Sequence, residues 1–250
     1  MTMPMNTPLL ERISTAWDSL STASPLPWLV LTMVVYLGAM AVYKKSGSRP
    51  TLIPVFTGVL VIVGVLLLTG TPYETYRSGV ALLGLMIGPA TVALAIPLYA
   101  QRERIRQLWL PITVALLVGC VVALLSALGI AWAFGGSEAT LIAVTPKSAT
   151  IPIALPMAER FGGKPSLAAV AVAITGISGT MMAPLLCRVL RLKDPAVQGF
   201  AIGLTAHAIG TARALQVNPT TGAFSALAMG LNGVATAVLM PIVLALTPLL

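Results

Sequence analysis

Residues 144–156, VTPKSATIPIALP, set one lysine, one serine and two threonines among three prolines in an otherwise apolar run. Lys147 stands near the middle of that run, ninth from its start. A charge at such depth in a membrane costs roughly 2.5–3.5 kcal/mol on insertion scales, so the group has to face water, a partner or a ligand. Pro146 drives Thr145 away from helical geometry. Ser148 or Thr150 can then cap a new half-helix whose first turn accepts Pro152. The open N–H groups and the dipole at that start attract anions, and Lys147 adds a full positive charge beside them. Ammonium, hydroxyls and open amides together describe a carboxylate site. The competing reading is structural: Lys147 pairs with a carbonyl or with a glutamate of another run, or extends its amine towards the surface.

A second group lies in TAHAIGTARAL, residues 205–215. His207, the single histidine, is four residues before Thr211 and shares a helical face with it and with Gly203. It is either a packed, hydrogen-bonded ring or a proton carrier. Arg213 is six residues beyond His207 and points elsewhere unless Gly210 bends the helix. It also lies five residues before Asn218, so snorkelling competes with substrate binding. Gly199, Gly203, Ala206 and Gly210 allow helices to approach closely.

A third group comes from an internal repeat. ATVALAIPL (90–98) aligns without gaps to ATIPIALPM (149–157), with four of nine positions identical. Pro89 precedes the first copy and Pro146 the second. Interrupted hydrophobic segments in corresponding places are the usual sequence pointer to a transporter site. The candidate substrate-binding residues are therefore Lys147, Ser148, Thr150, Thr91, Pro89, His207, Thr211 and Arg213. The expected interruptions are at 88–90 and 145–150, meeting near mid-membrane.

What positions these groups must be helical. The chain of 250 residues is 57% hydrophobic and 9% charged, against about 25% charged in an ordinary soluble domain. Apolar runs cover 28–43, 51–69, 79–100, 108–134, 139–158, 165–190, 196–217 and 223 to the end, separated by short polar punctuation such as KKSGSRP, QRERIRQ and RLKDP. Most are about 20 residues, which as helices cross the roughly 30 Å hydrocarbon layer. Helices are the default because lipid satisfies no open backbone groups. The expectation is an all-α polytopic membrane protein with about eight hydrophobic segments, two of them broken or re-entrant. Residues 27–250 form one integral-membrane domain. Residues 1–26 form a tail, with Leu9, Leu10, Ile13, Ala16, Trp17 and Leu20 on one face of an interfacial helix over 7–20.

The net charge of +8 comes from short basic clusters between apolar runs, the pattern of positive-inside loops rather than of a nucleic-acid surface. Lys44, Lys45 and Arg49 mark one cytoplasmic loop, and Arg102, Arg104 and Arg106 another. Counting on, Arg188, Arg191 and Lys193 fall outside, against the rule, unless the fifth run enters and returns without crossing. Cys120 and Cys187 have no CxxC spacing, so neither a disulfide nor a metal is expected. No serine–histidine, paired-carboxylate or HExxH arrangement is present, so no enzyme, catalytic residue or cofactor is expected. No acidic residue stands mid-span. Cation coupling would therefore use broken-helix carbonyls, His207 or the substrate's own proton.

The stretches GPATVALAIPLY, TPKSATIPIA, TGISG, AHAIGTARAL and GAFSALAMGLNGVATA, in this order over residues 79–240, resemble the LrgB/CidB family of antiholin-like membrane proteins. That family is similar to the plastid glycolate/glycerate translocator, and bacterial members are linked to pyruvate movement. The resemblance implies secondary transport of a small monocarboxylate such as pyruvate, glycolate or lactate. It places family motifs on Pro89, Thr91, Pro146, Lys147, Ser148, Thr150, His207, Gly210, Thr211 and Arg213. It also implies a holin-like LrgA/CidA-type partner in a bacterial inner membrane, and a homodimer is expected. The alternative function is regulation of a holin-like pore, murein hydrolase activity and cell lysis. The tail, residues 1–26, departs from the compact start of the family.

Overall fold

A computed structural model describes residues 24–247. The helix expected over 7–20 lies outside the described residues. All regular elements among the described residues are helical. In chain order they are α1 (Leu26–Lys45), a 3-10 turn (Pro50–Leu52), α2 (Pro54–Thr69), α3 (Tyr73–Gly79), α4 (Ala81–Ala93), α5 (Ala95–Ala100), α6 (Arg102–Gln107), α7 (Trp109–Ala133), α8 (Glu138–Val144), α9 (Ile151–Arg160), α10 (Pro165–Val189), α11 (Pro195–Val217) and α12 (Pro219–Leu246). Among the described residues, five stretches are long and apolar enough to cross a membrane: Leu26–Lys45, Ala81–Ala100, Trp109–Ala133, Pro165–Val189 and Pro219–Leu246. The chain is a multi-pass membrane protein. Valines and isoleucines such as Val118, Val122, Ile174, Val234 and Val238 lie on exposed faces of the long helices, where lipid rather than water is the natural solvent.

The chain divides between Ala93 and Leu94 into two compact units. In the first, Trp28 is fully buried and meets Tyr76 edge-on at 5.8 Å. The Thr32 hydroxyl donates to the Trp28 carbonyl at 2.7 Å, so the Tyr76 hydroxyl donates to Thr32 at 3.1 Å. Gly79 leaves room for the tryptophan, because a Cβ there would lie 2.7 Å from it.

The second unit is built on two helical hairpins. In the first, over residues 138–160, Ala143 packs with Ala158, and Ala149 packs with Ala154. A continuous helix would hold Ala143 and Ala158 about 22 Å apart at 1.5 Å per residue, so the arms run antiparallel and the chain turns over at 145–150. The second hairpin is α11 itself. Gly199 lies against the backbone of Thr221 and Gly203 against that of Ser225, so its first arm runs parallel to α12. Thr211 bonds Ser225 and Leu215 packs on Gly222, so its second arm runs antiparallel. The reversal falls on His207, whose φ of 39° and ψ of −129° break the helix.

The long helices α10 and α12 fix where the tips lie. The first hairpin meets α10 at Ala168 and Val172, and meets α12 at Gly233, Met240 and Leu244. The second meets α10 at Gly176, Gly179 and Thr180, and meets α12 at Thr221 and Ser225. The hairpins therefore enter from opposite ends of the two long helices and meet halfway. Residues 138–189 and 195–246 are of equal length, each a hairpin followed by a long helix, and Thr150 and His207 stand at the same place in each. The two long helices run in opposite directions, so this is an inverted repeat.

Two expectations need correction. The helix runs through 88–90 with Pro89 inside it. A proline removes one backbone bond and crowds one carbonyl, and membrane helices absorb this; the turn between α4 and α5 comes later, at Leu94, which keeps right-handed helical angles. The run over 196–217 is not an ordinary span, because it turns back at His207. The repeat that the fold displays is thus the hairpin-plus-helix unit.

The paradox of the basic loops resolves in the same geometry. The Arg104 guanidinium holds both carboxylate oxygens of Asp194 at 2.7 and 2.9 Å. The loops carrying Arg102, Arg104 and Arg106, and Arg191 and Lys193, therefore share one face. Between them lie α7 and α10, each long and apolar enough to cross a membrane, and the first hairpin, whose arms run antiparallel.

Candidate functional site

The first tip is a run of turns. Thr145 keeps right-handed helical angles, against the expectation that Pro146 would displace it; its amide still reaches Leu141, that of Lys147 reaches Val144, and that of Ala149 reaches Pro146. Pro146 has no N–H to continue the helix. Thr150 is extended and α9 begins after it, with Pro152 in its first turn. Thr150 occupies the cap position, yet its side chain makes no cap hydrogen bond and Ser148 makes none either. The expected side-chain cap is absent; Pro152 has no N–H and the Ile153 and Ala154 amides bond the Thr150 carbonyl, so the Ile151 amide is the donor in the first turn of α9 left for another acceptor.

Lys147 is half-buried at this tip, between buried Pro146 and Ser148. Its ammonium makes no hydrogen bond and no ion pair among the described residues. The described ion pairs are Arg77–Glu74, Arg102–Glu103 and Arg104–Asp194. The structural pairing with a glutamate is therefore not what holds Lys147.

The second tip is more tightly bound. His207 is 3% exposed and its Nε2 lies 2.9 Å from the carbonyl of Val172. A carbonyl only accepts, so Nε2 carries the proton and donates. Gly176 makes room for the ring, since a Cβ there would lie 2.5 Å from Cε1. Thr211 donates to the carbonyl of His207 at 2.7 Å. With its one proton used, Thr211 must accept from the Ser225 hydroxyl at 2.9 Å. Val172, which receives His207, also packs on Ala149 and Ala154 beside the first tip.

Asn232, in the middle of α12, joins the two tips. Its amide nitrogen donates to the carbonyl of Ser148 at 3.0 Å and to that of Leu204 at 3.3 Å. The Ser148 carbonyl belongs to the turns of the first tip and that of Leu204 to the turn of helix before His207, and a buried carbonyl left unpaired costs about 1–3 kcal/mol. Its own oxygen is buried and has no partner. Sequence reasoning missed Asn232 because it looked to the charged groups, the histidine and the hydroxyls beside them and to the proline-marked breaks. A neutral amide inside the apolar stretch AMGLNGVATA, together with Thr236 one turn on, was the available signal.

The candidates thus divide. Lys147, Ser148, His207 and Thr211 stand at the two tips or one bond from them, with Thr150 at the start of α9. Arg213 does not line the same space. Its Nη1 donates to the Thr180 carbonyl at 3.0 Å, and it borders a separate cavity on the far side of the second hairpin. Pro89 and Thr91 belong to the first unit, are exposed, and sit within α4, where the Thr91 hydroxyl returns to the Ile87 carbonyl. Chemically, the tips offer a half-buried cation, a helix start without a side-chain cap and a paired set of hydroxyls, beside the middles of the two long helices.

A family model described as the LrgB-like family matches residues 32–246. The chain is 38% identical over 206 residues to an uncharacterized protein, YxaC, of Bacillus subtilis (strain 168), covering 82% of this chain and 89% of that one. It is 36% identical over 217 residues to a second uncharacterized protein of that organism, YwbG, covering 86% and 96%. The antiholin-like protein LrgB of Bacillus cereus (strain B4264) is 28% identical over 221 residues, 88% of this chain and 96% of that protein. No solved structure matches.

Proposed function

The chain belongs to the LrgB-like family, and for this member we propose secondary transport of a small monocarboxylate, such as pyruvate, glycolate or lactate. The carboxylate sits at the first tip, against the Lys147 ammonium and the open start of α9. The observation that carries this reading is a half-buried lysine without any partner, at the depth where two hairpins from opposite faces meet. A cation left so placed is stabilised when an anion joins it. The second tip, held by His207, Thr211 and Asn232, supplies the opposite wall. Movement of one tip away from the other would open the site to one face at a time. The basic loops with Arg104 and Arg191 then lie in the cytoplasm of a bacterial plasma membrane.

Uptake of labelled monocarboxylates into proteoliposomes tests it, with and without ion and proton gradients. Wild type is expected to accumulate at least one of them, and Lys147→Met to lose that uptake while remaining folded. Retained uptake in a folded Lys147→Met protein overturns the reading.

A second reading is favoured by one observation, the antiholin-like name of the Bacillus cereus relative. In it the chain restrains a holin-like LrgA/CidA-type pore, and as a homodimer or with that partner it limits lysis. Lys147→Met separates the two: a lysis phenotype that survives the substitution together with absent wild-type uptake selects the second.

A further inference from the structure

The geometry points to a second small-carboxylate site, built around Arg213 and separate from the hairpin tips. A cavity of about 170 Å³ lies between the end of α10 and both arms of the second hairpin. Thr180, Cys187, Gln198, Arg213 and Thr221 are among the groups that line it, and neither Lys147 nor His207 does. That is well above the roughly 10–15 Å³ that admits one water, so a small organic anion has room. No acidic residue lines it.

The backbone explains how the guanidinium is held. Pro184, inside α10, has no N–H to give to the carbonyl four residues earlier. That carbonyl is Thr180, and Arg213 Nη1 takes it at 3.0 Å. One corner of the fork is thereby fixed. Its Nε is buried without a partner, and Nη2 makes no hydrogen bond among the described residues. The Nε–Nη2 edge is the one that receives a carboxylate through two parallel bonds. A simple snorkelling arginine would spend these donors on water or on lipid headgroups.

The cavity lies towards the basic face. Arg188, Arg191 and Lys193 follow Cys187 along the end of α10 and the loop after it, so the local field favours entry of anions. The site is thus a vestibule for the transported carboxylate at that face. Its ligand class rests on the transport reading, while its existence rests on the cavity and the free edge of Arg213.

Cys187 provides the test, because it lines the cavity while Cys120 is 1% exposed. The rate of alkylation by a neutral thiol reagent is measured on the full-length purified protein, with the labelled residue identified by mass and by Cys187→Ser. Pyruvate and glycolate are expected to slow labelling several-fold with saturation, in wild type and in Lys147→Met alike. Arg213→Gln is expected to remove the protection, and Arg213→Lys, which keeps charge but not the fork, to remove most of it. Protection that persists in Arg213→Gln overturns the site. Protection lost in Lys147→Met assigns the ligand to the tip and also overturns it. Equal protection by phosphate or chloride overturns the carboxylate assignment. Should Cys187 resist the reagent, the site is read as the carboxylate-dependent rise in melting temperature that remains in Lys147→Met and disappears in the Lys147→Met/Arg213→Gln double variant; its absence from Lys147→Met, or its persistence in the double variant, overturns the proposal. Failure of uptake alone bears on the tip reading and leaves this contrast intact.

Discussion

The two hairpin tips stand at the same place in the repeat and solve the same problem in opposite ways. The first spreads its reversal over six residues, 145–150, with a proline to stop one arm and a threonine, uncapping, to begin the other. It leaves an ammonium half-buried and unpartnered. The second turns on one residue, His207, in a left-handed conformation that a bulky side chain adopts at a cost of roughly 1–2 kcal/mol. That residue is held from three sides, by Val172, by Gly176 and by Thr211. A tip with an uncapped helix start and an unused charge is fitted to take and release a ligand. A tip whose polar groups are spent on protein is fitted to be the wall against which that happens.

The largest effect on stability is expected where the second hairpin lies backbone to backbone on α12. A Cβ at Gly203 would fall on the Ser225 carbonyl, which belongs to the backbone and cannot swing aside. Gly203→Ala should therefore cost the upper end of the roughly 1–3 kcal/mol typical of overpacking, or more. At Gly233 the same Cβ would meet only the tip of Ile153, 2.6 Å away, and that side chain can rotate. Gly233→Ala should stay within about 1 kcal/mol. Thermal unfolding in detergent compares them. Equal losses would mean that the first hairpin is clamped as rigidly as the second.

Next comes the residue that ties the tips. Asn232→Leu removes the side-chain donor shared by the Ser148 and Leu204 carbonyls, at about 1–3 kcal/mol for the tip carbonyl left unpaired. Asn232→Asp fails too, because an ionised carboxylate accepts only. An unchanged melting temperature in Asn232→Leu would show that the tips are not joined through this side chain.

How far the sequence could reveal this depends on which force breaks each helix. The first break is local chemistry: TPKSAT carries its own stop in Pro146, and the expected interruption was drawn from it. The second is tertiary. TAHAIG contains no proline and reads as continuous helix, and its reversal exists because Val172, Gly176 and Ser225 are brought to it from distant positions. Pro89 misled for the complementary reason, since a proline alone does not stop a helix whose other bonds survive. Asn232 was passed over because an uncharged amide leaves a weaker mark on hydropathy than a lysine. The helical, multi-pass character was plain from the apolar runs; that 139–158 and 196–217 double back depends on small-residue contacts scattered along α10 and α12.

The His207 conformation gives a third, smaller contrast. His207→Ala loses the bond to Val172, about 0.5–1.5 kcal/mol, and keeps the strained backbone. His207→Gly loses the same bond but sheds the left-handed cost of roughly 1–2 kcal/mol, so it should unfold at the higher temperature of the two. If alanine proves the more stable, the reversal is not centred on this residue.

The smallest effect on stability, and the largest on transport, is expected at Lys147. Lys147→Met keeps most of the stem and deletes a charge whose burial in a membrane costs roughly 2.5–3.5 kcal/mol on insertion scales. Since no carboxylate is stranded by its removal, the folded protein should be unharmed or slightly stabilised. A lysine that neutralised a buried glutamate would behave in the opposite way, its loss costing roughly 3–5 kcal/mol. Lys147→Arg should fold and rescue uptake poorly, because a planar fork does not replace a compact ammonium at a narrow tip. Melting temperatures of the three proteins, each with and without pyruvate or glycolate, carry the comparison through. Ligand stabilisation that survives in Arg213→Gln but shrinks in Lys147→Met locates the tip component. A Lys147→Met protein that melts well below wild type would return Lys147 to a structural role and leave the uncapped start of α9 without a ligand to explain it.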